Sequence, residues 1–434
     1  MTSDTSPTEA FVWIWLPGQT TPVVCGRIRL QDGRHVFAYA RSYLAREEAI
    51  PIYEPELPLR SDDIEPLAPL SLANSLRDAA PDAWGRRVIV HRQAGPSADM
   101  ATQFDDLGEL TFMLESGSDR IGALDFQASP SSYLSREGES IALERLMNAA
   151  EHVERGVPLP PDLAQALLHG TSIGGARPKA LLQDGGRKYV AKFSSSSDRF
   201  NVVKAEYVAM RLASIAGLNV APVRLVRSLD RDVLLVERFD REAVEGGWRR
   251  RALVSALTLL GLDEMMAAYA SYESFAETVR VRFDSPRLAL RELFSRMTFN
   301  ILSGNTDDHA RNHAAFWDGG RLSLTPAYDI CPQSRLGREA SQAMRLHGGA
   351  RRSQLSLCLD SAYGFHLSKE AALDIMRGQI AAIAGHWTSV CEEAALSDAD
   401  RRILWRGQFL NDLAFEGLRG QLGEALEALS AVRT

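Results

Sequence analysis

The sequence predicts an α+β protein, β-rich in its first half and mainly helical from about residue 250 onward. Two hairpin signals carry the first part of this reading. Gln31-Asp32-Gly33-Arg34 and Asp184-Gly185-Gly186 each separate strand-like runs, and Asp-Gly tolerates the positive φ angles of a tight turn. Beyond residue 250, apolar residues recur at the helical period instead.

Taken in order, residues 11–41 read as strands, with runs at 23–30 and 35–40 around the first turn. Residues 74–93 form a helical pattern through Leu76, Ala79, Trp84 and Val88, interrupted at Pro81. The serine-rich, polar stretch 126–140 reads as a loop or linker and puts the first boundary between 115 and 140. Runs at 179–183 and 188–193 flank the second turn. A helix over 202–216 comes next, stopped by Gly217, and then a short buried strand over 232–238. A helix at 291–302 leads into a polar loop, and amphipathic helices at 368–384, 388–396 and 399–427 close the chain. The expected units are 1–125, 126–240 and 241–434, without internal repeats.

With 434 residues the chain has room for roughly two or three domains. Its 45% apolar and 24% charged residues are ordinary for a globular protein that buries its own cores. The four cysteines, Cys25, Cys331, Cys358 and Cys391, lie far apart and show no zinc spacing, which predicts free thiols in a reducing cytoplasm. The N-terminal segment lacks a basic region before its short apolar run, and no run reaches the length of a membrane span. A net charge of −7 argues against the chain itself gripping nucleic acid, and the Arg249-Arg250-Arg251 cluster reads as a solvated face.

The most informative stretch is Gly304-Asn305-Thr306-Asp307-Asp308-His309-Ala310-Arg311-Asn312. Asp307 and Asn312 stand five apart, as do aspartate and asparagine in the kinase pattern H-R-D-x-x-x-x-N. The aspartate there orients or accepts the proton of an attacking hydroxyl, and the asparagine oxygen holds magnesium at the phosphates. Asp308 falls in the same spacing with His313, so Asp307 is the better base. By itself the pattern is common, and a capped polar loop explains it equally well. Other residues come in the order a kinase needs. Asp329 follows a short apolar run and offers a second magnesium ligand, suited to a cation that takes carboxylate and carbonyl oxygens. Lys192 shares a strand with Tyr189, Ala191 and Phe193 but faces the other way, with Val190. A lysine among apolar residues needs its charge paired, by nucleotide phosphate and by Glu206 on the following helix; an exposed edge lysine is the plainer alternative. The glycine-rich stretch Ser172-Ile173-Gly174-Gly175-Ala176-Arg177 matches neither a Walker A loop nor G-x-G-x-x-G. Ahead of a lysine-bearing strand, it reads as a phosphate cradle.

Together these residues resemble the HipA family of bacterial type II toxin–antitoxin serine/threonine-protein kinases, from about residue 20 to the C-terminus. The most specific segments are Ser172 to Lys179, Val236-Glu237-Arg238-Phe239-Asp240-Arg241, Gly304 to Asn312, and Ala327-Tyr328-Asp329-Ile330. Pro81-Asp82-Ala83-Trp84-Gly85-Arg86 is similar to the signature that closes the family's N-terminal subdomain. The resemblance implies a bilobal, protein-kinase-like domain, with a β-rich N-lobe and a helical C-lobe, carrying an extra β-rich N-terminal subdomain. It implies ATP and Mg²⁺ as cofactors, with Asp307 as catalytic base and Asn312 and Asp329 as metal ligands. Lys192 and His309 join the ATP site, Glu237 and Phe239 offer hinge backbone to adenine, and Asp240 reaches the ribose. Ser172 matches the serine that the family autophosphorylates, with Thr171 beside it. The implied partners are a protein substrate, such as an aminoacyl-tRNA synthetase or other translation component, and a DNA-binding antitoxin, with no membrane contact. One departure is Arg250-Arg251-Ala252-Leu253-Val254-Ser255, where members often carry an acidic, glutamine-containing segment; another is Pro178 before Lys179.

Three other readings use the same residues. A small-molecule phosphotransferase of the aminoglycoside or choline type shares the Asp-x₄-Asn logic. A pseudokinase would bind a partner without turnover. A metal hydrolase would draw on His309 and His313, for which no third ligand is evident; bracing of the loop by His309 is the simpler role.

Overall fold

The computed structural model describes residues 6–94, 100–137, 143–155, 157, 177–194, 198, 200–335, 339–427 and 429. The first unit is an antiparallel sheet in the order β3-β2-β1-β4, from β1 (Glu9–Ile14), β2 (Val23–Gln31), β3 (Arg34–Tyr39) and β4 (Leu124–Gln127). The β2–β3 turn has Asp32 and Gly33 both at positive φ (51° and 77°), the geometry the Asp-Gly pair predicts. The core of this unit gathers Val12, Ile28, Phe37 and Phe126. Because β4 pairs with β1, this sheet extends past the boundary expected at 125. The strand was not foreseen, since four residues carry too little periodicity to stand out.

The second sheet, β5-β6-β8-β7, comprises β5 (Lys179–Asp184), β6 (Arg187–Phe193), β7 (Val223–Ser228) and β8 (Arg231–Glu237). Side chains alternate between its two faces along β6. Tyr189, Ala191 and Phe193 pack on one face against Met147, Ala150 and Val153 of the helix Leu143–Arg155. Val190 and Lys192 turn to the other face, covered by the helix Val202–Ile215. That helix begins where the Asn201 side chain accepts the Lys204 N–H, a conventional N-cap. The chain then crosses through a small hairpin, β9 (Arg241–Val244) and β10 (Gly247–Arg250), into the helical unit.

The helical unit contains a three-stranded sheet, β11-β12-β13 (Leu253–Ser255, Ala314–Trp317, Leu322–Leu324). Two long helices, Pro286–Ser303 and Lys369–Glu393, dominate its core. The second corrects the expected break between 384 and 388. Trp387 is fully buried and packs its ring 5.0 Å from those of Trp405 and Phe409, so tertiary contact carries the helix through Gly385. Conversely, the expected helix 399–427 is divided into Asp398–Leu404, a short turn at Asp412–Phe415, and Arg419–Glu427. All four cysteines are buried free thiols, and no helix among the described residues is long and apolar enough to cross a membrane.

Gly304 ends the helix Pro286–Ser303 at φ +72°, and an added Cβ there would lie 2.7 Å from the Gln408 carbonyl oxygen. Both the left-handed backbone and the close approach require glycine. Gly304→Ala is therefore expected to destabilise the protein by about 1–3 kcal/mol, measured as a drop in the urea midpoint; an unchanged midpoint would refute the account.

Candidate active site

Lys192 reaches from β6 into the space beneath the sheet. Its Nζ donates to Glu206 Oε1 and to Asp329 Oδ1, each at 2.5 Å. Glu206 is buried on the helix Val202–Ile215, whereas Asp329 lies beyond β13 in the helical unit, so one ammonium bridges both lobes. Burial opposes the charge on Lys192, but the two carboxylates outweigh it and raise its pKa. Asp329 is pushed up by burial and pulled down further by Lys192, to about 2, with Lys179 and His309 adding to the pull. Its side chain is 40% exposed, so solvent screens part of this attraction. For Glu206, burial and the nearby Asp329 raise the pKa against the pull of Lys192. Asp329 has a positive φ of 59°, a conformation aspartate tolerates better than most residues.

The loop after Gly304 is held from several sides. Asn305 donates its side-chain amide to Asn300 Oδ1 at 2.9 Å and to the Asp329 carbonyl at 3.4 Å. The Ala343 N–H binds the Thr306 carbonyl, and the Tyr328 hydroxyl binds that of Arg311. The two adjacent aspartates then separate by environment. Asp308 is buried, accepting from the Tyr272 hydroxyl and lying 2.9 Å from His313 Nε2. Asp307 is exposed, with its pKa raised by partial burial and by Asp329 and Asp308, against a lowering pull from His309. Asn312 donates its Nδ2 to the Asp307 carbonyl at 3.2 Å. The Nδ1 of His309 is buried without a hydrogen-bond partner, so no bracing contact is made through that atom. His313 does brace the loop, its Nε2 lying 2.9 Å from Asp308 Oδ1 and 3.2 Å from the Tyr272 hydroxyl. Among the described residues no three His, Cys, Asp or Glu side chains are grouped to hold a metal. An aspartate and an asparagine fit Mg²⁺ only if phosphate and water oxygens complete its shell.

At the hinge, Glu237 spends its N–H on the Pro222 carbonyl and its carboxylate on Arg187. Phe239 packs between Phe316 and Tyr328. Asp240 departs from expectation. It is buried, and its carboxylate accepts from Arg238, Arg241 and the Gly122 N–H, so it faces the N-terminal unit rather than a ribose. Asp119 is held the same way by Arg238, Arg241 and Lys188. Arg250, in the segment that departs from the family, is buried over the Trp15 ring and paired with Glu137, so the arginine cluster is not simply a solvated face.

Arg177 pairs with Asp198 at 2.8 Å. Ser172, Ile173, Gly174, Gly175 and Ala176 lie outside the described residues. One residue was missed as a site component. Lys179 on β5 stands directly opposite Lys192 in the β5–β6 register and is itself buried. Like charges opposite each other on a sheet are costly. Burial lowers the Lys179 pKa, and Asp82 partly offsets this, while the Asp82 carboxyl is pushed up by burial to about 6. Trp84 donates its indole N–H to the Lys179 carbonyl at 3.1 Å. The Pro81-to-Arg86 motif thus meets the first residue of β5. Only the β5–β6 register, which the hairpin signal at 184–186 implies, could have revealed the lysine pair.

This architecture is a two-lobed, protein-kinase-like α+β fold with an added N-terminal subdomain. The profile of the HipA-like C-terminal domain matches residues 171–387, and that of the HipA N-terminal domain matches residues 14–127. The chain belongs to the HipA family. It is similar to the serine/threonine-protein kinase toxin HipA of Shewanella oneidensis, 28% identical over 183 residues, covering 37% of this chain and 42% of that protein. The alignment therefore spans less than half of that relative's length. A solved structure of a Shewanella oneidensis HipA, HipB and operator DNA complex matches with a TM-score of 0.65 and 18% identity. That match covers 95% of this chain and 98% of the solved chain, and at such identity the likeness concerns the fold.

The Asp240 cluster yields a stability prediction. The arginines hold the folded-state pKa of Asp240 below its ordinary value, at about 2, despite burial. Its contribution is thus complete above the ordinary carboxylate range and is lost as pH falls toward 2. Asp240→Asn leaves buried guanidinium charge uncompensated and should cost about 3–5 kcal/mol near neutral pH. Urea unfolding of both proteins across pH 3–7 checks this, with the difference shrinking on the acid side.

Proposed function

We propose that this chain is an ATP- and Mg²⁺-dependent serine/threonine-protein kinase, the toxin of a toxin–antitoxin pair. The observation that carries this reading is the Lys192–Glu206–Asp329 bridge beside an exposed Asp307. A kinase requires a strand lysine paired to a helix glutamate, a metal-binding aspartate, and a carboxylate left open to the acceptor hydroxyl. Lys192, with Lys179 opposite, would neutralise nucleotide phosphates. The Glu237 carbonyl and the Phe239 N–H would present an acceptor and a donor to the adenine edge. Asn312 and Asp329 would hold Mg²⁺, which would supply charge neutralisation at the phosphates. Asp307 would orient the acceptor hydroxyl and take its proton as the oxygen attacks.

The acceptor in this reading is a protein hydroxyl, on an aminoacyl-tRNA synthetase or another translation component, and also Ser172 in this chain. A phosphate on Ser172 would bring roughly −1.5 to −2 charge into a loop built to hold ATP, which explains self-inactivation. The family's N-terminal domain and the fold match to a toxin solved with its antitoxin on operator DNA support a DNA-binding antitoxin as partner. Phosphorylation of a sugar or amino alcohol with none on protein would favour the small-molecule phosphotransferase instead, and absence of ATP binding a pseudokinase.

Incubation with Mg-ATP followed by mass spectrometry tests the reading. Phosphate on Ser172 is expected in the wild type and not in Asp307→Asn, whose transfer rate should fall at least about a hundredfold while ATP binding persists. Equal labelling of the two proteins would sink the assignment. Because the Asp307 pKa is raised, its carboxylate is fully present only above that raised value. The acid limb of the rate profile should therefore lie above pH ~4, the ordinary aspartate range.

A further inference from the structure

The helix Val202–Ile215 carries Glu206, whose aim at Lys192 depends on how that helix is turned about its own axis. At about 3.6 residues per turn, Lys204, Tyr207 and Arg211 fall on one stripe, roughly 100–160° around from Glu206. That stripe meets a segment 186 residues further along the chain. Glu393 is the last residue of the helix Lys369–Glu393. Its Oε1 accepts from the Tyr207 hydroxyl and from Arg211 Nε at 3.1 Å, and its Oε2 accepts from Arg211 Nη2 at 3.4 Å. Lys204 Nζ donates to the Ala395 carbonyl at 2.7 Å and lies 3.4 Å from Asp232 on β8.

The receiving surface is itself fixed. The Ala395 N–H binds the Glu392 carbonyl and the Leu396 N–H that of Cys391, so the long helix closes in a Schellman motif with Ala395 at φ +46° and Leu396 buried. Lys204 and Arg211 bring positive charge to the C-terminal end of that helix, where its dipole favours cations. Apolar packing runs the same way, with Val203, Tyr207 and Met210 in one continuous core with Trp387, Val390 and Ala394. Glu206 therefore sits on a helix whose rotation is set from the helical lobe, the lobe that also supplies Asp329 to Lys192.

Resting on the kinase reading above, we propose that Glu393 is a positioning residue for the Lys192–Glu206 pair, acting through Tyr207 and Arg211 to fix the rotation of the helix that bears Glu206. Glu393 touches neither nucleotide nor acceptor. Without it the helix turns, and Lys192 keeps Asp329 but loses Glu206, so the ammonium meant for the phosphates is less firmly held.

The test uses the full chain at physiological salt. Glu393→Lys sets a third cation against Lys204 and Arg211; because the Glu393 side chain is 42% exposed, the change buries no charge. Without nucleotide, acetylation of Lys192 by acetic anhydride at alkaline pH is followed by mass spectrometry, with Lys188 on the same strand as internal reference. Lys192 should react at least about threefold faster in Glu393→Lys, since fewer carboxylates hold its proton, and Lys188 at the wild-type rate. With Mg-ATP, the maximal rate of Ser172 labelling should fall about tenfold and half-saturating ATP should rise about threefold. Arg211→Glu/Glu393→Lys should recover most of both losses, and Glu393→Gln, which still accepts from both donors, should lose no more than about twofold. Glu392→Lys, the same charge change on the neighbouring exposed residue, should match wild type. Unchanged Lys192 reactivity in Glu393→Lys, an equal effect of Glu392→Lys, or Lys188 accelerating in step with Lys192 overturns the proposal, the last because it signals general loosening. If the wild type places no phosphate on Ser172, the kinase reading fails, and Lys192 reactivity still decides the positioning role.

Discussion

Lys192 is an ammonium carried on the inner face of a sheet, where an uncompensated charge would cost several kcal/mol. Its compensation comes from two places far apart in the chain, Glu206 on the helix beneath the sheet and Asp329 beyond the last strand of the helical unit. The β6 alternation, the seating of the helix Val202–Ile215 and the path of the chain through Asp329 must therefore be satisfied together. The same bridge sets the relation between the lobes, because its two carboxylates belong to different ones. Lys179, facing Lys192 across the register, adds a second cation to a space with three nearby carboxylates, Glu206, Asp329 and Asp82.

A second charge cluster works by a different logic. Asp119 and Asp240 are enclosed by Arg238, Arg241 and Lys188, with backbone carbonyls of Arg120 and Gly122 accepting further guanidinium protons. Burying such a network gains little net stability over apolar packing, but breaking it is expensive. Its geometric demands pin the 119–122 turn of the N-terminal subdomain to the strand end at the hinge. Asp240 therefore serves the joint between units, although it sits beside hinge residues that face the site.

In the loop after Gly304, neighbouring residues of the same type take opposite roles. Asp308 is enclosed by Tyr272 and His313 and stiffens the loop, whereas Asp307 points outward with its carboxylate uncommitted. His313 supplies the bracing contacts through its Nε2.

The sequence by itself determined the local features. Asp-Gly turns placed both hairpins, alternation on β6 set Lys192 against Tyr189 and Phe193, and the spacing from Asp307 to Asn312 marked the loop. These depend on backbone preference and periodicity, which neighbouring residues encode. Tertiary structure decided which charged groups meet: Lys192 with Asp329 137 residues away, Lys179 opposite Lys192, and Asp240 turned toward Gly122 rather than outward. It also carried the helix Lys369–Glu393 through Gly385 by burying Trp387, and it recruited β4 to an edge too short to declare itself. Pairing of buried charges depends on where distant segments come to lie. A linear pattern records that a lysine needs a partner, and only the packed chain supplies one.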